Sequence, residues 1–163
     1  MKKGFKFPKV NWKLLLISFL AVYLTALIGS IFTYQNVNSA WYESIRLPIT
    51  PPNWVFPVVW NILFFLIALS LYFALSSIKN KKLQLNLKIV FGINLLLNAL
   101  WSFIFFSLQS PTLAFFELII FWFSITIMIY TTWEINKKSS LLLIPYLLWV
   151  NFAGILNYFI AFG

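Results

Sequence analysis

The stretch Val55–Ser77 reads VFPVVWNILFFLIALSLYFALSS and contains no charged residue. A helix rises 1.5 Å per residue, so about 20 mostly apolar residues cross roughly 30 Å of hydrocarbon. This stretch is long enough, and it is apolar on every face rather than on one stripe. Four more runs have the same character. They extend from about Lys13 to Thr33, Leu87 to Leu108, Pro111 to Trp133 and Ser140 to Phe162. A membrane β-barrel would alternate apolar and polar residues with period two, which these runs do not. Of the 163 residues, 62% are hydrophobic and only 9% charged, with mean hydropathy +0.91. A soluble shell around five such helices would need polar residues that the chain does not have. The expected fold is an all-α membrane protein: one domain over residues 1–163, a bundle of five transmembrane helices.

The first run follows Lys2, Lys3, Lys6, Lys9 and Lys13, as a signal peptide would. It is too long for a typical signal core, so a retained first helix is expected. The remaining lysines lie between the second and third spans (Lys79, Lys81, Lys82, Lys88) and between the fourth and fifth (Lys137, Lys138). With five spans all eleven fall on one side, and Arg46 alone on the other. The positive-inside rule then puts the N-terminus in the cytoplasm and the C-terminus outside. The net charge of +9 points to an anionic membrane surface and not to nucleic acid.

The connection Tyr34–Trp54 is long and carries Trp41, Tyr42, Pro48, Pro51 and Pro52. Long ordered loops are usually functional. An exterior lid is expected, with Ser39 capping a short helix that runs through Ser44 and the prolines keeping the rest extended.

At 100° per residue the third span places Asn94, Asn98, Trp101 and Phe105 in one arc. The fifth does the same with Tyr146, Trp149, Ala153 and Asn157, and the second with Trp60, Phe64, Ile67 and Leu71. Amides are costly in lipid and should face protein or a cavity. Three such faces would enclose a flat pocket with aromatic walls, suited to a planar apolar ligand. The competing reading treats Trp12, Trp41, Trp54, Trp60 and Trp133 as interfacial anchors and the amides as bridges between helices. Asn151 lies on the opposite arc of the fifth span, toward another helix or a second subunit. Glu117, six residues into the fourth span, is a functional candidate by its depth. Glu43 and Arg46 are spaced as a surface pair. His and Cys are absent, which removes the usual nucleophile relays, thiolate chemistry and His/Cys metal sites.

These motifs together resemble the TspO/MBR family, the tryptophan-rich sensory proteins and mitochondrial translocator proteins. The matching pieces are Trp41-Tyr42 and Pro48, then Pro51-Pro52-Asn53-Trp54-Val55-Phe56 running into Val59-Trp60. They continue with Leu97-Asn98, Trp101-Ser102 and Phe105-Phe106, then Ala114, Glu117 and Trp122. The last are Leu143-Ile144-Pro145-Tyr146-Leu147-Leu148-Trp149, Phe152-Ala153 and Leu156-Asn157-Tyr158. The resemblance implies an often dimeric five-helix bundle that binds porphyrins, haem and its precursors among them, in a cavity beneath the first loop. It places Trp54, Asn98, Trp101, Trp149, Phe152, Ala153 and Asn157 near that cavity. It gives Trp41, Pro48, Pro51 and Pro52 to the lid. No cofactor is required, and porphyrin or haem is the expected ligand. Amides such as Asn98 or Asn157 are expected to meet its polar atoms, and Arg46 its propionates. The implied setting is a bacterial cell membrane, and the implied assembly a homodimer. Transport of porphyrins and light-dependent porphyrin breakdown are the alternative functions.

The chain also departs from the family pattern. Only Ile49-Thr50 separates Pro48 from the Pro51-Pro52 pair, one residue short and without the usual aromatic. Phe64 replaces a common Tyr, and Ile67-Ala68 a common Met-Gly. No basic residue follows Tyr158, so the cholesterol motif of the family is missing.

Overall fold

A computed structural model describes residues 10–163; Lys2, Lys3, Lys6 and Lys9 lie outside the described residues. Seven α-helices follow one another: α1 (Trp12–Asn36), α2 (Ala40–Ile45), α3 (Val55–Ser77), α4 (Lys81–Ser102), α5 (Pro111–Ile135), α6 (Lys137–Leu141) and α7 (Ile144–Phe162). A π-helical turn, Phe103–Ser107, continues α4. Taken with that turn, and with α6 and α7 as one unit, five segments among the described residues are long and apolar enough to cross a membrane.

The helix starts follow local chemistry. The side chains of Asn11, Ser39, Asn80 and Asn136 each accept a hydrogen bond from a backbone N–H two or three residues ahead. Pro111 opens α5, where its missing N–H is no loss. Two boundaries differ from the sequence reading. The third span begins at Lys81 and not near Leu87, because Asn80 caps it through Lys82 N and Leu83 N while the lysines stay exposed. The fifth span is broken. Residues 142–143 separate α6 from α7, and Pro145 sits in the first turn of the restarted helix. The expected short lid helix is present as α2, with Tyr42 N donating to Ser39 Oγ over 3.2 Å.

In the bundle, α1 packs against α3 and α4, and α5 against α4 and α7; α3 and α7 meet more sparsely. Gly154 lets α5 and α7 approach closely, since a Cβ there would stand 3.1 Å from Leu118 Cδ2. Leu16, Leu20, Leu24 and Leu27 of α1 are exposed, as expected where the surrounding medium is apolar.

The two ends of the bundle are finished differently. At the lysine-bearing end, Ser70 and Ser139 are fully buried and their hydroxyls lie 2.8 Å apart. Ser139 Oγ is also 2.7 Å from Ser70 O, and Asn136 Nδ2 donates to Ser77 Oγ at 2.9 Å. At the other end α2 lies over the π-helical turn. The Trp41 ring meets Phe105 edge-on at 5.8 Å, and the Tyr42 ring is tilted against Phe106 at 5.6 Å. The wider turn lets Ile104, Phe105 and Phe106 all be buried, between the lid and the start of α5. The chain leaves the turn through Gln109 at φ 49°, a left-handed conformation that a glycine would adopt more easily.

Candidate functional site

A cavity of about 360 Å³ lies between α1, α3, α4 and α7, under the connection from α1 to α3. Aromatic rings form much of its wall. Trp60 stacks on Phe64 at 5.4 Å, Trp101 stacks on Phe105 at 5.0 Å, and Phe56 meets Trp149 edge-on at 5.8 Å.

Of the residues expected at the site, Asn98, Trp101, Trp149, Ala153 and Asn157 line this cavity together. Phe152 stands behind the wall, its ring 5.4 Å from that of Trp149. Trp54 is outside the cavity and 67% exposed, because it is the residue preceding α3 and its side chain is turned away from the bundle. Trp41 fastens the lid to Phe105 rather than facing the cavity. Pro48, Pro51 and Pro52 do not line the cavity. Thr50 N donates to Leu47 O and Val55 N to Pro52 O, so the proline-rich segment forms successive turns.

The structure adds residues that the stripes did not single out. From the lid come Tyr42, Thr50 and Asn53; from α1 come Ala26, Gly29, Ser30 and Thr33. A signal for the α1 group was present, since these small residues recur at helical spacing on an otherwise large-residue helix. Burial pushes the Tyr42 phenol above its ordinary pKa, with Arg46 opposing the shift and Glu43 adding to it.

The amides are engaged inside the protein. Trp101 Nε1 donates to Asn157 Oδ1 at 3.1 Å, and Asn157 Nδ2 donates to Pro111 O at 2.8 Å. A second chain runs across the bundle. Asn98 Nδ2 donates to the Tyr146 hydroxyl (3.3 Å), which donates to Asn94 Oδ1 (3.1 Å). Asn94 Nδ2 donates to Ser124 Oγ (2.7 Å), which donates to Phe121 O (2.7 Å). These chains fix the orientation of Trp101 and Tyr146. Asn157 lines the cavity with one hydrogen bond on each half of its amide, which ties it to Trp101 and to the start of α5. Asn151 accepts from Trp122 Nε1 at 3.0 Å on the outer face, beside an open groove of about 440 Å³ between α5 and α7.

Arg46 is likewise engaged, donating from Nη2 to Pro51 O at 3.1 Å and lying 3.7 Å from Glu43. The expected Glu43–Arg46 pair is present, and the guanidinium also holds the turn through Pro51 O. Glu117 is 6% exposed, and both carboxyl oxygens lack a hydrogen-bond partner among the described residues. It does not line the cavity; it shares a face of α5 with Ser124, toward α4. Among the described residues no group of three or more His, Cys, Asp and Glu is placed to hold a metal ion. The arrangement can enclose a flat apolar molecule between ring faces and offer it a few hydrogen bonds.

Comparison with known proteins gives a consistent answer. The model of the TspO/MBR family matches residues 17–162. The tryptophan-rich protein TspO of Archaeoglobus fulgidus is 39% identical over 146 residues, covering 88% of this chain and 92% of that protein. The protein of the same name from Chlorobaculum tepidum is 38% identical, covering 80% and 82%. The translocator protein of Bos taurus is 27% identical, covering 83% and 80%.

Proposed function

This chain is an integral membrane protein of the TspO/MBR family, and from that premise we propose that it is a membrane receptor binding porphyrins, haem and its precursors among them, or similar flat apolar ligands. One observation carries the reading: Trp60, Trp101, Phe105 and Trp149 converge on a single cavity roofed by the lid. Macrocycle faces pack on these rings, and the hydrogen-bonded Asn157 holds the Trp101 plane in place. Ala153 leaves the room beside Trp149. Phe152 supports Trp149 from behind, and Trp54 anchors the base of the lid at the membrane surface.

The lid is exterior, the N-terminus cytoplasmic and the C-terminus exterior. Lys79, Lys81, Lys82, Lys137 and Lys138 at one end and Arg46 at the other support that orientation. The setting is a bacterial cell membrane, and the assembly a homodimer, as the family resemblance implies. The buried Ser70–Ser139 clasp at the lysine-bearing end favours a receptor over a transporter, because a through-route would have to break it.

The test is a titration of the purified protein with metal-free protoporphyrin in the dark, followed by tryptophan quenching. Trp101→Leu and Ala153→Phe run alongside. Saturable binding with defined stoichiometry, weakened by both substitutions in folded protein, is expected. Binding indifferent to both would overturn the assignment. Illumination of the complex then separates a receptor from a photochemical enzyme, since only turnover bleaches the porphyrin at a rate that depends on the bound fraction.

A further inference from the structure

At the lysine-bearing end, two loops far apart in the chain are fastened into one face. The connection from α3 to α4 carries Lys79 and runs into Lys81 and Lys82, and α6 opens with Lys137 and Lys138; all five are exposed. Asn136 Nδ2 donates to Ser77 Oγ at 2.9 Å, and α6 packs on α3 around the buried Ser70–Ser139 contact. Each loop is also fixed within itself. Gln84 Nε2 donates to Ile78 O at 2.8 Å, Asn80 Oδ1 accepts from Lys82 N and Leu83 N, and Asn136 Oδ1 accepts from Lys138 N and Ser139 N.

Little on the protein answers this charge. Of the three carboxylates in the chain, Glu43 lies in the lid and Glu117 is buried, which leaves Glu134 against the lysines. Among the described residues the one ion pair is Arg46 with Glu43, in the lid. Five like charges on a fixed face repel one another, and an anionic partner relieves that repulsion. The neighbouring side chains say which anion. Leu83 and Leu85 follow Lys81 and Lys82, Leu141 and Ile144 follow Lys137 and Lys138, and all four are exposed. Lys137 Nζ stands 5.2 Å from the centre of the exposed Trp133 ring, and tryptophans at the ends of spans sit at headgroup level. A free phosphate or an acidic peptide would leave the apolar side chains uncovered. A phospholipid sets its phosphate on the lysines and its chains on the leucines.

We infer that residues 77–82 and 136–138 together form a docking surface for anionic phospholipid headgroups, and that a headgroup with two phosphates fits it better than a headgroup with one, because it meets the lysines of both loops at once. A diffuse basic end would attract any anionic leaflet alike. Here the Asn136–Ser77 bond holds the two groups of lysines beside each other, so the second phosphate binds at little further ordering cost.

The test is native mass spectrometry of the full chain in neutral detergent micelles at low ionic strength. Diphosphatidylglycerol, phosphatidylglycerol and phosphatidylcholine with matched chains are titrated, and inorganic pyrophosphate and an oligoglutamate peptide compete in separate arms. Melting and size-exclusion profiles verify that each variant is folded. Diphosphatidylglycerol should bind at least about ten-fold more tightly than phosphatidylglycerol, and phosphatidylcholine most weakly. A lysine beside an anionic surface is worth about five-fold in affinity. The double variants Lys81→Gln with Lys82→Gln, and Lys137→Gln with Lys138→Gln, should therefore each weaken diphosphatidylglycerol binding by roughly 30-fold. Ser77→Ala keeps every charge but frees the two loops from each other, and should erase most of the preference for two phosphates. Equal binding of diphosphatidylglycerol and phosphatidylcholine would overturn the inference, as would indifference to both double variants. A preference for two phosphates that is missing, or that survives Ser77→Ala unchanged, would reduce the face to diffuse charge and overturn it equally. Displacement of the lipid by an equal concentration of pyrophosphate or of the peptide would overturn the lipid assignment in favour of a soluble anion or an acidic protein.

Discussion

Replacing Asn157 by Leu should act on the cavity through Trp101 rather than through a lost ligand contact. Asn157 is 1% exposed and joins Trp101 Nε1 to Pro111 O, with bonds of 3.1 and 2.8 Å. The substitution keeps the branched shape and number of side-chain heavy atoms and removes both bonds. Pro111 O opens α5 and retains its place in the helix ladder, so the main loss falls on the Trp101 N–H. A buried unsatisfied donor costs about 1–3 kcal/mol in soluble proteins. In membrane bundles the measured side-chain couplings are smaller, averaging about 0.6 and reaching about 1.7 kcal/mol. The cycle of Asn157→Leu, Trp101→Phe and the double variant should therefore show a coupling of about 0.6–1.7 kcal/mol. Thermal unfolding in micelles reads it, at roughly 2–4 °C per kcal/mol for a chain of this length. Each single variant should also weaken porphyrin binding, and the double variant little more than either. Additivity within about 0.3 kcal/mol would show that the two residues act separately and would refute the argument.

Three other substitutions probe the lid, the buried acid and the turn before α5. Ser39→Ala removes the cap on α2 and should destabilise it by about 1 kcal/mol, seen as faster amide exchange over residues 40–45 and a faster ligand off-rate; unchanged exchange would contradict the lid role. Glu117→Gln removes a buried carboxyl without a partner among the described residues, so the melting temperature should hold or rise; a fall of more than about 2 kcal/mol would mean a stabilising contact exists. Gln109→Gly relieves the left-handed backbone at φ 49° and should stabilise by about 0.5–1 kcal/mol in the same melt; destabilisation would show that the Gln side chain outweighs the backbone cost.

The membrane-spanning pattern, and which residues could meet, are legible in the amino-acid order alone. Apolar run length is a local property, and α3 spans Val55–Ser77 as the run predicts. Side-chain arcs at 100° per residue are also local, so Asn98, Trp101, Trp149, Ala153 and Asn157 could be assigned to facing stripes before any helix was packed. The Ser39 cap was legible for the same reason. The tertiary structure decided everything that depends on a partner far along the chain. Whether an amide faces a ligand or a neighbour depends on what stands opposite, and Asn157 finds Trp101 and Pro111, 56 and 46 residues away. Trp54 carries a motif residue, yet the last residue before a helix can turn to either side, and here it turns out. The pairing of Arg46 with Glu43 was legible from their spacing, whereas its bond to Pro51 O depends on the folded turn. The meeting of Phe56 with Trp149 comes from the packing of the first turn of α3 against α7, which no helical periodicity encodes.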